Sequence, residues 1–236
     1  MDELLGFDWR KAWIDYNASR EPPGDASYWD ARAKEFAHYA GTSSYGETFI
    51  NYLDLAPKQS VLDMGCGSGT LALPLAGAGH RVLAADFSEK MLTLLKQTVT
   101  EQELHGIRVL KLDFNAPWEE WEAAGLSEDS VDVAIASRST MVKDLWEAFE
   151  KLERVARTKV AMTLSTEFGP RETRQIGTRA DGASSFLPDS VFALNVLFQM
   201  GRHPELRYID SPKKNSDGSS RLIRWAFLTW HPPQTL

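Results

Sequence analysis

Between residues 60 and 70 an apolar run, Val61-Leu62-Asp63-Met64, gives way to Gly65-Cys66-Gly67-Ser68-Gly69-Thr70. Glycine has no Cβ and adopts dihedrals closed to other residues, so such a turn lets a ligand approach bare backbone. A helix beyond it presents unpaired amide groups at its first residues. Taken alone, the pattern places a ligand at the first strand-to-helix turn of a doubly wound sheet. Two carboxylates flank it. Asp63 stands just ahead of the first glycine, and Asp86 ends the next apolar run, RVLAAD, 21 residues after Gly65. A carboxylate at that second position accepts hydrogen bonds from two ribose hydroxyls.

The glycine spacing narrows the ligand. A dinucleotide fingerprint reads G-x-G-x-x-G, whereas this loop reads G-x-G-x-G, with Thr70 where the last glycine would fall. Asp63 would repel a pyrophosphate and suits a cationic sulfonium ligand carrying an amino group. Phe87 and Met91 follow Asp86 and offer a ring face and a sulfur contact to an adenine. Met91 also has the helical spacing of a core residue, with Leu94 and Leu95. The third apolar run ends in Leu112-Asp113-Phe114, where Asp113 can accept from an adenine amino group and the Phe114 backbone can donate to the ring.

VLDMGCGSGT, VLAADFSEKML, LDF and SVDVAIAS, in this order, resemble the motif series of class I S-adenosylmethionine-dependent methyltransferases. The resemblance covers residues 60–165. It implies S-adenosyl-L-methionine as cofactor and S-adenosyl-L-homocysteine as product. It implies a cofactor site of Asp63, Gly65, Cys66, Gly67, Asp86, Phe87, Met91, Asp113, Phe114 and Ser137. Gly65 and Gly67 would admit the methionine part, Asp63 would organise the loop or reach the amino group through water, and Ser137 would stand where cofactor and acceptor meet. Arg138, Ser139 and Tyr45 are expected to line the acceptor. Cys66 is expected to be a small buried residue and not a reactive one.

These residues need elements to position them. Short apolar runs at 61–64, 81–86, 107–113, 130–137 and 159–165 alternate with helical segments at 70–79, 88–102 and 143–157, the second opening on Ser88 as N-cap. Such alternation implies a mostly parallel sheet covered on both faces. Runs at 205–210 and 221–230 suggest an antiparallel terminal hairpin. The expected fold is therefore α/β, doubly wound and Rossmann-like, with seven strands. Residues 1–56, rich in aromatics and predicted helical near 7–18, 27–40 and 43–54, are expected to form a lid. Residues 57–236 would form the methyltransferase unit, in one domain overall, with 166–204 bordering the acceptor site. The 166–187 stretch is a long loop and so a functional suspect, with Arg171, Arg174 and Arg179 spaced along it.

Composition bounds the rest. The chain has 236 residues and a formal net charge of −7, which disfavours nucleic acid as a partner because a duplex-gripping surface is usually basic. A lone cysteine supports neither an internal disulfide nor a thiolate metal cluster. No acidic or histidine set reads as a metal site. No run approaches the ~18 apolar residues of a membrane span, and the N-terminus is not a secretory signal, so a cytoplasmic location is expected. The expected partner is a small-molecule acceptor. Methylation of a protein or RNA, and a catalytically silent cofactor-binding module, are the alternatives. The N/D-P-P-Y/F tetrapeptide of many base and glutamine amino-methylating enzymes is replaced by Ser137-Arg138-Ser139-Thr140. Glu167, His38 and Tyr45 are weak base candidates and none is assigned as catalytic. The sequence leaves the oligomeric state open.

Overall fold

The computed structural model describes residues 6–18, 26–37, 44–139, 142–167, 187–214 and 219–233. In chain order the elements are α1 (Trp9–Ala18), α2 (Ala26–Ala37), α3 (Ser44–Leu53), β1 (Ser60–Met64), α4 (Ala72–Gly77), β2 (Arg81–Asp86), α5 (Glu89–Glu101), β3 (Ile107–Lys111), α6 (Trp118–Ala123), β4 (Val131–Ser137), α7 (Leu145–Val155), β5 (Ala156–Ser165), α8 (Asp189–Gln199), β6 (Glu205–Lys214) and β7 (Ser220–Trp230). The strands form one sheet in the order β3-β2-β1-β4-β5-β7-β6. The first five run parallel and β7 inserts antiparallel between β5 and β6. This is the expected seven-stranded Rossmann-like sheet with its terminal hairpin.

Alternation along the strands divides the apolar residues between two cores. Leu62, Met64, Ala134 and Ala136 face one layer, with Trp13 of α1, Trp121 of α6, Phe149 and Leu152 of α7 and Phe192 of α8. Val61, Val133 and Ile135 face the other, with Tyr45, Phe49 and Leu53 of α3, Leu73 of α4 and Leu92 and Leu95 of α5. The side-chain period of two in a strand produces this split. Phe49 meets Phe227 of β7 edge to face at 4.9 Å; truncating such a buried ring to alanine costs about 3–5 kcal/mol.

The N-terminal helices are not one layer. Trp13 is fully buried and donates its Nε1–H to the Val142 carbonyl at 3.2 Å, while Tyr16 stacks on Phe192 at 4.9 Å. α1 and α3 thus belong to opposite cores, and α2 packs along α5. The stretch between the first two predicted helices, 19–25, lies outside the described residues, and α2 begins at Ala26.

Three boundaries differ from expectation for local reasons. α4 is shorter than 70–79 because Thr70 and Leu71 complete the turn after Gly69, and Gly79 at φ +87 leaves the helical region. β5 begins at Ala156, directly after α7, and a bulge opposite Val131–Val133 takes up the extra residue. β6 runs on to Lys214 through Pro212, which an edge strand tolerates because only one of its sides is hydrogen-bonded.

Candidate cofactor and acceptor site

The three loop glycines have different tasks. All have positive φ, at +77, +54 and +100 for Gly65, Gly67 and Gly69. A Cβ on Gly65 would lie 2.3 Å from Ser139 Cβ, so this glycine lets the end of β4 close against β1. A Cβ on Gly69 would lie 2.6 Å from Leu95 and 2.8 Å from Leu73, so its absence lets α4 and α5 pack. Among the described residues a Cβ on Gly67 would meet nothing within 4 Å, so of the three glycines it is the one that offers open space to a ligand there. The loop is held by Gly65 and Cys66 amides donating to Ala85 O at 2.7 and 3.0 Å.

Asp86 sits at the end of β2, buried, and orders both this loop and the next helix. Its Oδ2 accepts from the Gly67 amide at 2.9 Å and its Oδ1 from the Ser88 amide at 2.8 Å. Burial raises its pKa, opposed by hydrogen bonds from the Ser88, Gly67 and Phe87 amides and assisted by the charge of Asp113. Asp63 is 1% exposed. Burial, then the charge of Asp86, push its carboxyl up to about 7 against a hydrogen bond from the Ala72 amide at the start of α4. Neither carboxylate has a cationic partner among the described residues. Two buried, uncompensated acids beside an open backbone make a field that favours a cation.

Where α3 meets the ends of β4 and β5 the arrangement is hydroxylic. Tyr45 Oη lies 2.8 Å from Ser137 Oγ and 2.6 Å from Thr163 Oγ1. Thr163 is fully buried and its Oγ1 also accepts the Arg138 amide at 3.0 Å. A buried hydroxyl that donates to nothing costs about 1–3 kcal/mol, and Tyr45 is its remaining partner among the described residues. Thr163 therefore donates to Tyr45 and Tyr45 to Ser137, leaving the Ser137 proton for a ligand. Burial pushes the Tyr45 phenol up; the Arg138 guanidinium and the two hydroxyls oppose this and the Asp63 charge adds to it. Tyr45 is consequently a neutral donor near pH 7, not a base. Arg138 itself has φ +56 and lays its guanidinium over the Tyr45 ring at 4.2 Å, with the Trp225 ring at 5.9 Å. A residue other than glycine in that region costs about 1–2 kcal/mol.

A family model described as methyltransferase domain matches residues 61–159. A relative from Haemophilus influenzae, described as an uncharacterised protein, is 31% identical over 197 residues, which span 81% of this chain and 69% of that one. Residues 61–159 belong to the methyltransferase-domain family, and the chain has the fold of class I S-adenosylmethionine-dependent methyltransferases. Two further likenesses bracket it. Magnesium protoporphyrin IX methyltransferase from Synechocystis, solved with S-adenosylhomocysteine bound, shares the fold at a TM-score of 0.56 and 18% identity, covering 96% of this chain and 100% of that one. A 23S rRNA (uracil-C5) methyltransferase of Pseudomonas savastanoi is 30% identical over 88 residues, 36% of this chain and only 20% of its own length.

The methyltransferase cofactor, a sulfonium cation with an ammonium group, fits the open Gly67 backbone and the uncompensated Asp63–Asp86 pair. The structure brings Asp63, Gly67, Asp86 and half-buried Phe87 to one end of β1 and β2. Asp113 is exposed nearby, with Oδ1 accepting from the Asn115 amide at 2.8 Å. Phe114 turns its ring inward onto Trp121 at 5.9 Å and gives its carbonyl to Lys151 Nζ, so its backbone is what remains for an adenine. Met91 is buried on α5, its amide donating to Ser88 Oγ. Burial and the charges of Asp63 and Asp86 push the Cys66 thiol well up, which makes it inert. Ser139 donates its hydroxyl to Met64 O at 2.9 Å, a strap between β4 and β1. Glu167 is paired with Arg221 at 2.9 Å. His38, Thr140, Arg171, Arg174 and Arg179 lie outside the described residues. Among the described residues no group of His, Cys, Asp and Glu has metal-site geometry, and no helix is long and apolar enough to cross a membrane.

Two residues escaped the sequence reading. The one signal for Thr163 is that it is the lone hydroxyl inside the apolar run Ala161–Leu164. Asp30, whose carboxylate accepts from Ser88 Oγ at 2.6 Å, carried no signal, being an ordinary acid on an amphipathic helix.

Proposed function

We propose that this methyltransferase acts on a small-molecule acceptor held at the carboxyl ends of β4 and β5. In this reading Asp86 holds the ribose hydroxyls, Asp63 stabilises the ammonium end, and the Gly67 backbone admits the methionyl chain. Asp113 and the Phe114 backbone read the adenine, with Phe87 and Met91 at its sides. When bound, S-adenosylmethionine supplies an already activated methyl group on sulfur. What is left to the chain is alignment, exclusion of water and a hydrogen bond to the acceptor. Ser137, its oxygen fixed by Tyr45 and its proton free, donates that bond; Ser139 keeps the two strand ends at fixed separation; and α2, tied to α5 through Asp30, covers the adenosine side.

The supporting observation is the cluster of Tyr45, Ser137 and Thr163. It draws on α3, β4 and β5, and Tyr45 and Thr163 are fully or almost fully buried within the chain's own core. A site framed by core residues suits an acceptor small enough to enter. A net charge of −7 argues against RNA as substrate. The test is transfer from methyl-labelled S-adenosylmethionine to three fractions: metabolites, total RNA and protein. Label in the metabolite fraction alone is expected; label in RNA or protein overturns the reading. Titration with S-adenosylhomocysteine and with NAD checks the cofactor site separately, and binding of the first alone is expected.

A further inference from the structure

Arg138 directly follows β4 at the edge of the hydroxyl cluster. It sits in the left-handed region, at φ +56, although it has a full side chain. Its backbone is fixed on both sides: its own amide donates to buried Thr163, and the next residue, Ser139, is strapped to Met64 O. Residues held in such conformations cluster at ligand clamps, where the surrounding structure over-determines them. The result is to hold a half-buried guanidinium flat against Tyr45 and within 5.9 Å of the Trp225 ring centroid. Its planar fork has no carboxylate partner among the described residues. The neighbouring cations of β7 are neutralised, Arg221 by Glu167 at 2.9 Å and Arg224 by Asp210 at 2.7 Å.

We infer that Arg138 is the acceptor-binding residue and that it recognises a carboxylate on the methyl acceptor. The inference rests on the methyltransferase reading above and adds the substrate class to it. A guanidinium stacked on an aromatic face keeps its edge donors free, and two parallel N–H groups match a carboxylate bidentately. A phosphate dianion would call for further free cations, and none accompanies Arg138 among the described residues. The cofactor brings a carboxylate of its own, on its methionyl group. The direction of the side chain favours the acceptor instead. Trp225 pairs with Ser165, on the β5–β7 side of β4, whereas Gly67 and Asp86 lie at β1 and β2 on the other side.

The experiment uses the whole chain, wild type and Arg138→Gln, with Arg138→Lys as the charge-keeping control. Acetate, propionate and benzoate are titrated into protein saturated with S-adenosylhomocysteine, each beside its amide, following perturbation of the Arg138 Nε–Hε NMR signal together with isothermal titration. At least one carboxylate is expected to bind about tenfold tighter than its amide. Arg138→Gln should abolish the difference and Arg138→Lys should keep part of it. Equal binding of all carboxylates and amides overturns the assignment of Arg138. S-adenosylhomocysteine and 5′-methylthioadenosine, which lacks the amino-acid part, are titrated into the same variants, and unchanged affinities are expected. A loss in Arg138→Gln confined to S-adenosylhomocysteine shows that the carboxylate is the cofactor's own and overturns the acceptor reading. Failure of wild type to bind S-adenosylhomocysteine at all overturns the cofactor site beneath both.

Discussion

The carboxylate of Asp30 on α2 accepts the hydroxyl of Ser88 at 2.6 Å, and the same Ser88 oxygen accepts the Met91 amide as the N-cap of α5. Asp30 Oδ1 also accepts the Lys90 amide at 3.2 Å. The helix that begins directly after Asp86 is therefore capped by its own serine, and that serine is oriented by the N-terminal region.

Asp30→Ala should loosen α2 and leave the rest of the fold intact. The hydrogen bond from Ser88, chief among the effects lowering the Asp30 pKa, would be lost. Amide exchange across α2 should quicken, and the protection that S-adenosylhomocysteine confers on 26–37 should shrink. Exchange measured by mass spectrometry with and without ligand reads both. Equal protection of α2 in wild type and variant would show that the contact is incidental.

Asp86→Ala removes the anchor for the Gly67 and Ser88 amides and, in the proposed function, the acceptor for two ribose hydroxyls. Charge-assisted hydrogen bonds contribute about 1.5–3 kcal/mol each, and about 1.4 kcal/mol is a factor of ten in affinity. The dissociation constant for S-adenosylhomocysteine should rise at least about tenfold in titration of folded variant. An unchanged constant would move the ribose elsewhere.

Much of this was legible in the sequence because it is periodic or carried by special residues. The alternation of apolar runs and helices yielded the sheet, and the glycines marked the loop. Their separate tasks were not legible. Only three-dimensional packing reveals that Gly65 faces Ser139, just beyond β4 and far along the chain, and that Gly69 faces Leu95. Among the N-terminal aromatics, Trp13 and Phe49 fill opposite cores, a division the sequence does not carry. Aromatic content reports burial and is blind to the face on which a helix lands. The hydroxyl cluster stayed hidden because Tyr45 and Thr163 are 118 residues apart.

Asp63 makes ligand binding depend on pH. Its folded pKa of about 7 stands above the ordinary carboxyl value, so the free protein retains a proton there that an unfolded chain has already lost. This group favours folding fully below pH 4, and its contribution falls as pH rises through 7. A bound cation reverses the preference by stabilising the carboxylate. Affinity for S-adenosylhomocysteine should therefore climb between about pH 6 and pH 8, with protons released on binding. Titration in buffers of different ionisation enthalpy measures both. A profile equally steep in Asp63→Asn would assign the dependence to another group.

The glycine loop offers a test in which stability and binding separate. Gly65→Ala and Gly69→Ala must each accommodate a Cβ where the nearest atoms lie at 2.3 and 2.6 Å. Both also force alanine to positive φ, which costs about 1–2 kcal/mol. Overpacking in a close-packed interior adds about 1–3 kcal/mol. Gly67→Ala carries the backbone cost alone, since its Cβ enters open space. In thermal denaturation without ligand, Gly67→Ala should thus be the mildest of the three. With S-adenosylhomocysteine the order should invert. Gly67→Ala fills the space left for the ligand and should lose affinity at least about tenfold, equivalent to about 1.4 kcal/mol, along with most of the ligand-induced rise in Tm. Gly69→Ala, whose new methyl points into Leu73 and Leu95, should keep most of that rise wherever it remains folded. If Gly67→Ala binds as tightly as wild type, the ligand does not pass over this backbone, and the site must be sought on the far side of Asp86.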